Sequence, residues 1–404
     1  MSFDQAPKVF HVLAGGPWGG GAVVVRSVAQ RLIQEGCQVW VLCLSDEVSR
    51  RFAEIGAKVV TCRHWRREIN PLDSLAFYDL FKLCRKEKFD IVHTHTSKGG
   101  FLGRIAARLA GVPIVVHTVH GFSFNEFTPR KKTAFYVRLE KIASHFCDTM
   151  ITVTEQHRLM AIEKGISKPG KIVTIHNGIE LKKFEDIVED RSIRKGLGLP
   201  KEAILIGTVG RLAHEKGQEY LVNAIPNVVS RYPQAHFVFI GDGPQERDLK
   251  DITVELGVSE HCRFLGFRHD VPELLKCVDI FVQPSPREGL SITLLEAMAA
   301  KKPVIAANIS GNQEVIDNNI NGILCQPMDS TALAEALINL LGNQDRRALL
   351  GRNAREEVEQ RFSEQMMLEQ TVHLYKAKIE EAFHLGRYAF PHRCIKNISR
   401  ELQK

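Results

Sequence analysis

The sequence predicts two α/β domains, each built on a parallel sheet covered by helices. Three observations carry this. The chain has 404 residues, about twice an ordinary domain. Short apolar runs of strand type alternate with helical stretches through both halves, the pattern that buries parallel strands between helices. Glycine-rich or polar segments stand directly behind several of those runs, and in such sheets ligands bind beyond the carboxyl ends of the strands.

In the first half, strands are expected over 9–13, 39–44, 58–61, 91–95, 114–118, 150–154 and 172–175, and helices over 24–35, 74–87, 99–110, 131–146 and 155–164. The opening apolar run from Lys8 to Leu13 is too short for the core of a secretion signal and reads as the first strand. The charged, poorly periodic stretch 181–200 reads as a linker. In the second half, 204–210, 237–241, 279–283 and 303–307 read as strands. Pro284 and Pro286 end the third of these, Gly289 marks a turn, and Ile292 to Ala300, rich in Leu, Ala and Met, reads as a helix. From 330 to 382 the chain is helical and charged, and the tail from Arg387 to Lys404 is basic without clear pattern. The domains are accordingly 1–185 and 201–365, followed by a helix and tail over 366–404.

Composition narrows the class. Hydrophobic residues make up 44% and charged residues 25%, as in a globular protein. No run approaches the roughly 18 apolar residues of a membrane span. Nine scattered cysteines without a C-x-x-C pair argue for reduced thiols and a cytosolic protein, and against a structural zinc or disulfide framework. Up to Glu185 there are 27 Lys and Arg against 17 Asp and Glu, a balance of +10; the remainder has 27 against 30, a balance of −3. A basic first half suits phosphorylated lipid, an anionic membrane surface or nucleic acid, and a basic surface kept for solubility gives the same count.

Several segments carry chemistry. Five glycines crowd 15–21, which allows close backbone approach to a ligand. The run is not a dinucleotide fingerprint, because Val24 stands where the last glycine belongs; Asp46 after the second strand keeps a nicotinamide reading alive. His93 and His95 point the same way from one strand, so a metal pair is conceivable, but no Cys or Asp follows nearby to complete it. Ser97-Lys98-Gly99-Gly100 at a helix start suits an anion. His120 follows an apolar strand, as a core histidine or a site residue. Phe122 to Arg138 interleaves aromatics with cations, as an interfacial segment or a packed helix with a basic face; Arg63 to Arg67 has the same flavour. Arg211 and Lys216 straddle a strand-to-helix turn, a geometry for phosphate oxygens. Glu288 and Glu296, eight residues apart, flank another such turn, where carboxylates can accept hydrogen bonds from sugar hydroxyls.

This last stretch, Pro284 through Ala306, resembles the E-x7-E motif of the retaining GT-B glycosyltransferases of family 4. The resemblance runs over about 8–382. It implies two Rossmann-like domains facing across a cleft, with a C-terminal helix, here 363–381, crossing back to the first. It implies a nucleotide-sugar donor, transfer with retention of configuration, and neither cofactor nor metal. Arg211 and Lys216 match the diphosphate clamp, Glu288 the sugar-binding carboxylate, and Glu296 the ribose-binding one. Gly289, Leu290, Ser291 and Gly20 fall on the donor side, and the backbone of Gly266, Phe267 and Arg268 meets the base. His120 matches the cleft histidine that contacts the donor sugar, and His176-Asn177-Gly178 the element that ends the first domain. Ser310 and Gln313 depart from the usual Gly-Gly-x-Pro, which leaves the part of Glu314 open.

The run from His93 to Val119 resembles a branch that builds envelope and capsular polysaccharides on polyprenyl-diphosphate lipids. That makes Lys98 a candidate for the acceptor phosphate, with Gly19, His95 and Ser97 beside it. The expected partners are a nucleotide-sugar, probed first as UDP-hexose or UDP-N-acetylhexosamine, a lipid-linked or other saccharide acceptor, and an anionic membrane surface, with no nucleic acid. The expected location is cytoplasmic, on the inner face of a membrane. A sugar-nucleotide epimerase or hydrolase and a catalytically silent sugar-nucleotide or membrane-binding protein share these features.

Overall fold

The computed structural model describes residues 6–388 apart from 15, 17, 67–69, 126 and 186–190. Gly15 and Pro17 of the glycine-rich loop, Arg67, Glu126, the middle of the expected linker and the tail beyond Tyr388 therefore lie outside the described residues. The chain divides into two units, Met1–His176 with Gln365–Lys404, and Asn177–Glu364.

The first unit holds seven parallel strands: β1 (Lys8–Val12), β2 (Gln38–Leu42), β3 (Lys58–Val60), β4 (Ile91–His95), β5 (Ile114–Val119), β6 (Thr149–Thr152) and β7 (Ile172–Thr174). Their order is β3-β2-β1-β4-β5-β6-β7. β4 and β5 are buried along their whole length, as strands covered by helices on both faces must be. Most of this burial is apolar, around Phe10, Val92, Val115 and Met150. His11 on β1 and His117 and Thr118 on β5 are buried polar residues, and β4 carries the longest such run, His93, Thr94 and His95. Buried polar groups need partners, so this strand is the first place to look for function.

The second unit holds six: β8 (Ile204–Val209), β9 (Ala235–Ile240), β10 (Cys262–Phe264), β11 (Ile280–Gln283), β12 (Val304–Ala307) and β13 (Ile323–Cys325), ordered β10-β9-β8-β11-β12-β13. In both sheets the chain winds outward to one side, then returns beside its first strand and winds to the other. The reversals fall between β1 and β4 and between β8 and β11. At such a reversal the two following connections cross to opposite faces of the sheet, and ligands of open α/β sheets bind beyond the strand ends there.

The expected class is borne out: two Rossmann-like units, with the helix Glu364–His384 placed in the first. Tyr375 on this helix is buried there and its hydroxyl lies 2.6 Å from His93 Nδ1.

The sequence reading passed over several short elements. The helix Asp46–Ala53 is capped by Ser45, whose Oγ accepts from the Val48 amide. Asp46 is thus a first-turn acid, well placed for the helix dipole, and the support it lent to a nicotinamide reading falls away. The stretch 181–200 is not bare linker, since it contains the turn Leu181–Phe184 and the helix Arg191–Gly196. Arg194 ties that helix to the second unit through the Cys277 carbonyl and Asp279, both at 2.6 Å.

Candidate active site

In the second unit, the loops after β8 and β11 meet at the reversal point. Gly217 has φ +68°, and a Cβ there would lie 2.5 Å from the Pro284 carbonyl oxygen, so glycine is required for the loops to touch. Ser285 donates to the Lys216 carbonyl at 3.2 Å. Lys216, on the single turn His214–Lys216, then reaches Glu288, Nζ to Oε1 at 2.7 Å. Glu288 is 11% exposed, so this ion pair is partly desolvated. Arg211 pairs with Glu215, and the Gln218 side chain holds the Arg211 carbonyl.

Gln283, the last residue of β11, organises the loop. Its amide nitrogen donates to Ser285 and to Glu288, and its oxygen accepts from Ser291 and Thr293. Ser291 in turn caps the helix Ile292–Ala299. Gly289 and Leu290 are fixed from behind. A Cβ on Gly311 would fall 1.9 Å from the Gly289 oxygen, and the Asn177 side chain donates to the Leu290 carbonyl at 3.0 Å. Sequence reasoning took Gln283 as the end of an apolar run. A buried amide at a strand terminus was the available signal. The result is two cations, each ion-paired with a carboxylate, beside a helix N-terminus, an arrangement that can take an anion where the pairs open and offers the carboxylates to hydroxyl groups.

Glu296 lies one helical turn beyond the buried Ile292, on the helix that Ser291 caps. Burial pushes the Glu296 carboxyl up to about 7, with the Lys183 ammonium pulling the other way. A carboxyl raised in the folded state adds stability while protonated. That contribution is complete below its ordinary value of 4.5 and is lost as pH rises through about 7. Thermal unfolding of wild type and Glu296→Gln at pH 5 and pH 8 checks this: the variant gains on wild type at pH 8. An equal difference at both values would show that the carboxyl is not raised.

Elsewhere in this unit, Gly266 has φ +64° and its carbonyl accepts from the Gly241 amide at 2.8 Å. Phe267 is exposed, and Arg268 is paired with Asp270. Glu314 closes the short helix Ser310–Gln313.

In the first unit, the reversal between β1 and β4 gathers histidines. His11 lies beside His93 in the register of the two strands. His11 Nδ1 is 3.1 Å from His95 Nε2, and His95 Nδ1 is 3.1 Å from His120 Nε2. His93 is bonded to Tyr375 through Nδ1 and to Thr118 through Nε2. Burial lowers His11 to about 3 and His120 to about 4, so both are neutral at pH 7. His11, His93 and His95 offer ring nitrogens within 4.8 Å of one another, close enough for a metal cage. The search along the chain for a third ligand near 93–95 missed His11, which arrives from the neighbouring strand. Every ring nitrogen of His93 and His95, however, already has a hydrogen-bond partner.

The other first-unit candidates surround this cluster. Gly19 and Gly20 start the helix Gly20–Gln34, and a Cβ on Gly21 would lie 3.8 Å from the His120 ring. Ser97 bonds Ser123 at 2.7 Å. Lys98 is paired with Asp73 at 2.5 Å and donates to the Arg66 carbonyl.

The aromatic-basic segment divides. Phe122 and Phe124 are core residues, packed ring to ring at 5.2 Å, and Trp65 is buried as well. These three rings are therefore not membrane anchors, because the core already covers them. Phe127 and Phe135 are exposed, and so are Arg130, Lys131, Lys132 and Arg138. Among the described residues, no helix is long and apolar enough to cross a membrane.

Known proteins resemble this chain in sequence and fold. The family described as Glycosyltransferase Family 4 matches residues 18–183, and that described as Glycosyl transferases group 1 matches 189–357. The UDP-Gal:alpha-D-GlcNAc-diphosphoundecaprenol alpha-1,3-galactosyltransferase of Escherichia coli is 36% identical over 296 residues, 72% of this chain and 76% of that protein. The chain is a GT-B glycosyltransferase related to the family 4 and group 1 glycosyltransferases. The capsular polysaccharide biosynthesis glycosyltransferase CapM of Staphylococcus aureus is 28% identical over 381 residues, 93% of this glycosyltransferase and 98% of CapM. The structure of Anabaena HepE in complex with UDP-glucose superposes with a TM-score of 0.80 at 23% identity, covering 92% of this chain and 99% of that one. At that identity the likeness concerns the fold, which is GT-B.

Proposed function

We propose that this glycosyltransferase moves a hexose or N-acetylhexosamine from a UDP-sugar, with retention of configuration, to a polyprenyl-diphosphate-linked saccharide in envelope polysaccharide synthesis. The observation that carries the reading is the Lys216–Glu288 pair at the β8–β11 crevice, beside the capped helix Ile292–Ala299. The names of two similar proteins support the donor and acceptor classes, one with UDP-Gal and a diphosphoundecaprenol acceptor, the other with UDP-glucose bound.

Transfer develops positive charge at the anomeric carbon and negative charge on the departing diphosphate. Arg211, Lys216 and the amides of Gly289, Leu290 and Ser291 hold the leaving charge, so no metal is required. The acceptor hydroxyl passes its proton to the leaving phosphate, and no side chain is obliged to act as base. Glu288 and His120 bind the sugar, Glu296 the ribose, and the backbone of Gly266 to Arg268 the base, with Gly20 on the donor side. Gly19, Ser97 and Lys98 serve the acceptor, Lys98 by exchanging Asp73 for a phosphate. In this reading 1–185 is the acceptor domain, 201–365 the donor domain and 366–404 the crossover helix and tail.

UDP at a hundredfold excess over its Kd should stabilise the enzyme by about 2.7 kcal/mol, read as a rise in Tm. Protection by GDP-sugars with none by UDP-sugars would reject the donor assignment.

The enzyme is further proposed to work at the inner face of a membrane, held by Phe127, Phe135 and the cations of the helix Arg130–Ser144. Each cation near anionic lipid contributes about 1 kcal/mol, so binding is reversible and weakened by salt. Changing Arg130, Lys131 and Lys132 to Ser should release the enzyme from anionic vesicles in co-sedimentation. Binding indifferent to lipid charge and to these changes would rule the surface out.

A further inference from the structure

We propose that His11, His95 and His120 form one hydrogen-bonded imidazole chain that fixes the tautomer of His120, so that His11 and His95 are positioning residues for its contact with the donor sugar. This rests on the reading that His120 meets that sugar.

The two links are alike, His11 Nδ1 to His95 Nε2 and His95 Nδ1 to His120 Nε2, each 3.1 Å. A neutral imidazole carries one N–H and one bare nitrogen. Each link needs one of each, so the tautomer of any ring dictates the other two. Burial keeps all three neutral. Two registers remain. In the outward register, His11 donates to His95, His95 donates to His120, and His120 Nδ1 carries a free N–H. In the inward register every proton sits on the other nitrogen, and the free N–H is His11 Nε2.

The two ends decide between them. His11 Nε2 and His120 Nδ1 are both buried without a hydrogen-bond partner among the described residues. An orphaned buried N–H is rarer than an unsatisfied acceptor. The inward register would leave such an N–H deep in the sheet at His11. The outward register leaves it at His120, a residue that is partly exposed, whereas His11 is fully buried. A sugar hydroxyl that reaches Nδ1 accepts this N–H, and its oxygen satisfies the end of the chain. His95, expected beside the acceptor, acts through His120 instead.

The test is the ring 15N spectrum of histidine-labelled enzyme, which separates protonated from bare nitrogens, combined with kinetics. In wild type we expect His120 and His95 each protonated at Nδ1 and bare at Nε2. His95→Leu and His11→Leu should each release the His120 tautomer and lower kcat/KM for the donor by roughly 3–10-fold. His95→Asn, whose amide can still donate to His120 Nε2, should keep the outward tautomer. A wild-type His120 protonated at Nε2 overturns the proposal without any variant. So does a His120 tautomer unchanged in both Leu variants, or stoichiometric metal bound by these nitrogens in the purified enzyme. His120→Ala tests the underlying reading separately: unchanged kcat/KM would remove His120 from the site whatever the spectrum shows.

Discussion

Replacing Lys216 with Ala lowers kcat/KM by about two to three orders of magnitude, a loss of about 2.7–4 kcal/mol of transition-state stabilisation. The Lys216 ammonium stands in the β8–β11 crevice, paired with a Glu288 that is only 11% exposed. Its loss removes a positive charge from the departing diphosphate and leaves the Glu288 carboxylate with the neutral Gln283 amide beside it. An uncompensated carboxylate then faces the leaving phosphate, so the two effects add in the same direction. Arg211→Ala should fall in the same range, since the guanidinium is held by Glu215 at the same loop. Steady-state kinetics with thermal unfolding as the fold control decides. Turnover within a factor of a few of wild type would remove these cations from the mechanism.

The two carboxylates should separate by kinetic signature. Glu288→Gln is expected to lower kcat by about 10–100-fold, because in the proposed mechanism it touches the sugar, which changes charge and shape during transfer. Glu296→Gln is expected to weaken UDP binding about tenfold with a smaller effect on kcat, because the ribose is bound alike before and during reaction. Their surroundings already differ. Glu288 is tied to Lys216 and Gln283, whereas burial holds the Glu296 carboxyl up near 7. Titration calorimetry with UDP and initial rates on both variants provide the comparison. The reverse pattern would mean that the two roles are exchanged.

Local sequence sufficed for the outline of the scaffold. Runs of apolar residues, strand-ending prolines and the Ser291 cap are decided by neighbours a few positions apart, because helix hydrogen bonds and strand alternation repeat within that distance. The α/β class could therefore be read directly, whereas Arg211, Lys216, Glu288 and Glu296 were singled out by the resemblance to family 4. The three-residue β13 was not seen, although the equally short β3 and β7 were. Tertiary structure alone decided which loops meet. Lys216 and Glu288 are 72 positions apart, and His93 and Tyr375 are 282 apart. The first contact follows from strand order, which depends on how crossovers pack over a sheet, and the second from the packing of the helix Glu364–His384 on the first unit; neither follows from a local pattern. The same packing placed Phe122, Phe124 and Trp65 in the core, where the sequence showed only aromatics among cations. It also set His11 against His95, turning two same-facing histidines on one strand into a chain that ends at His120.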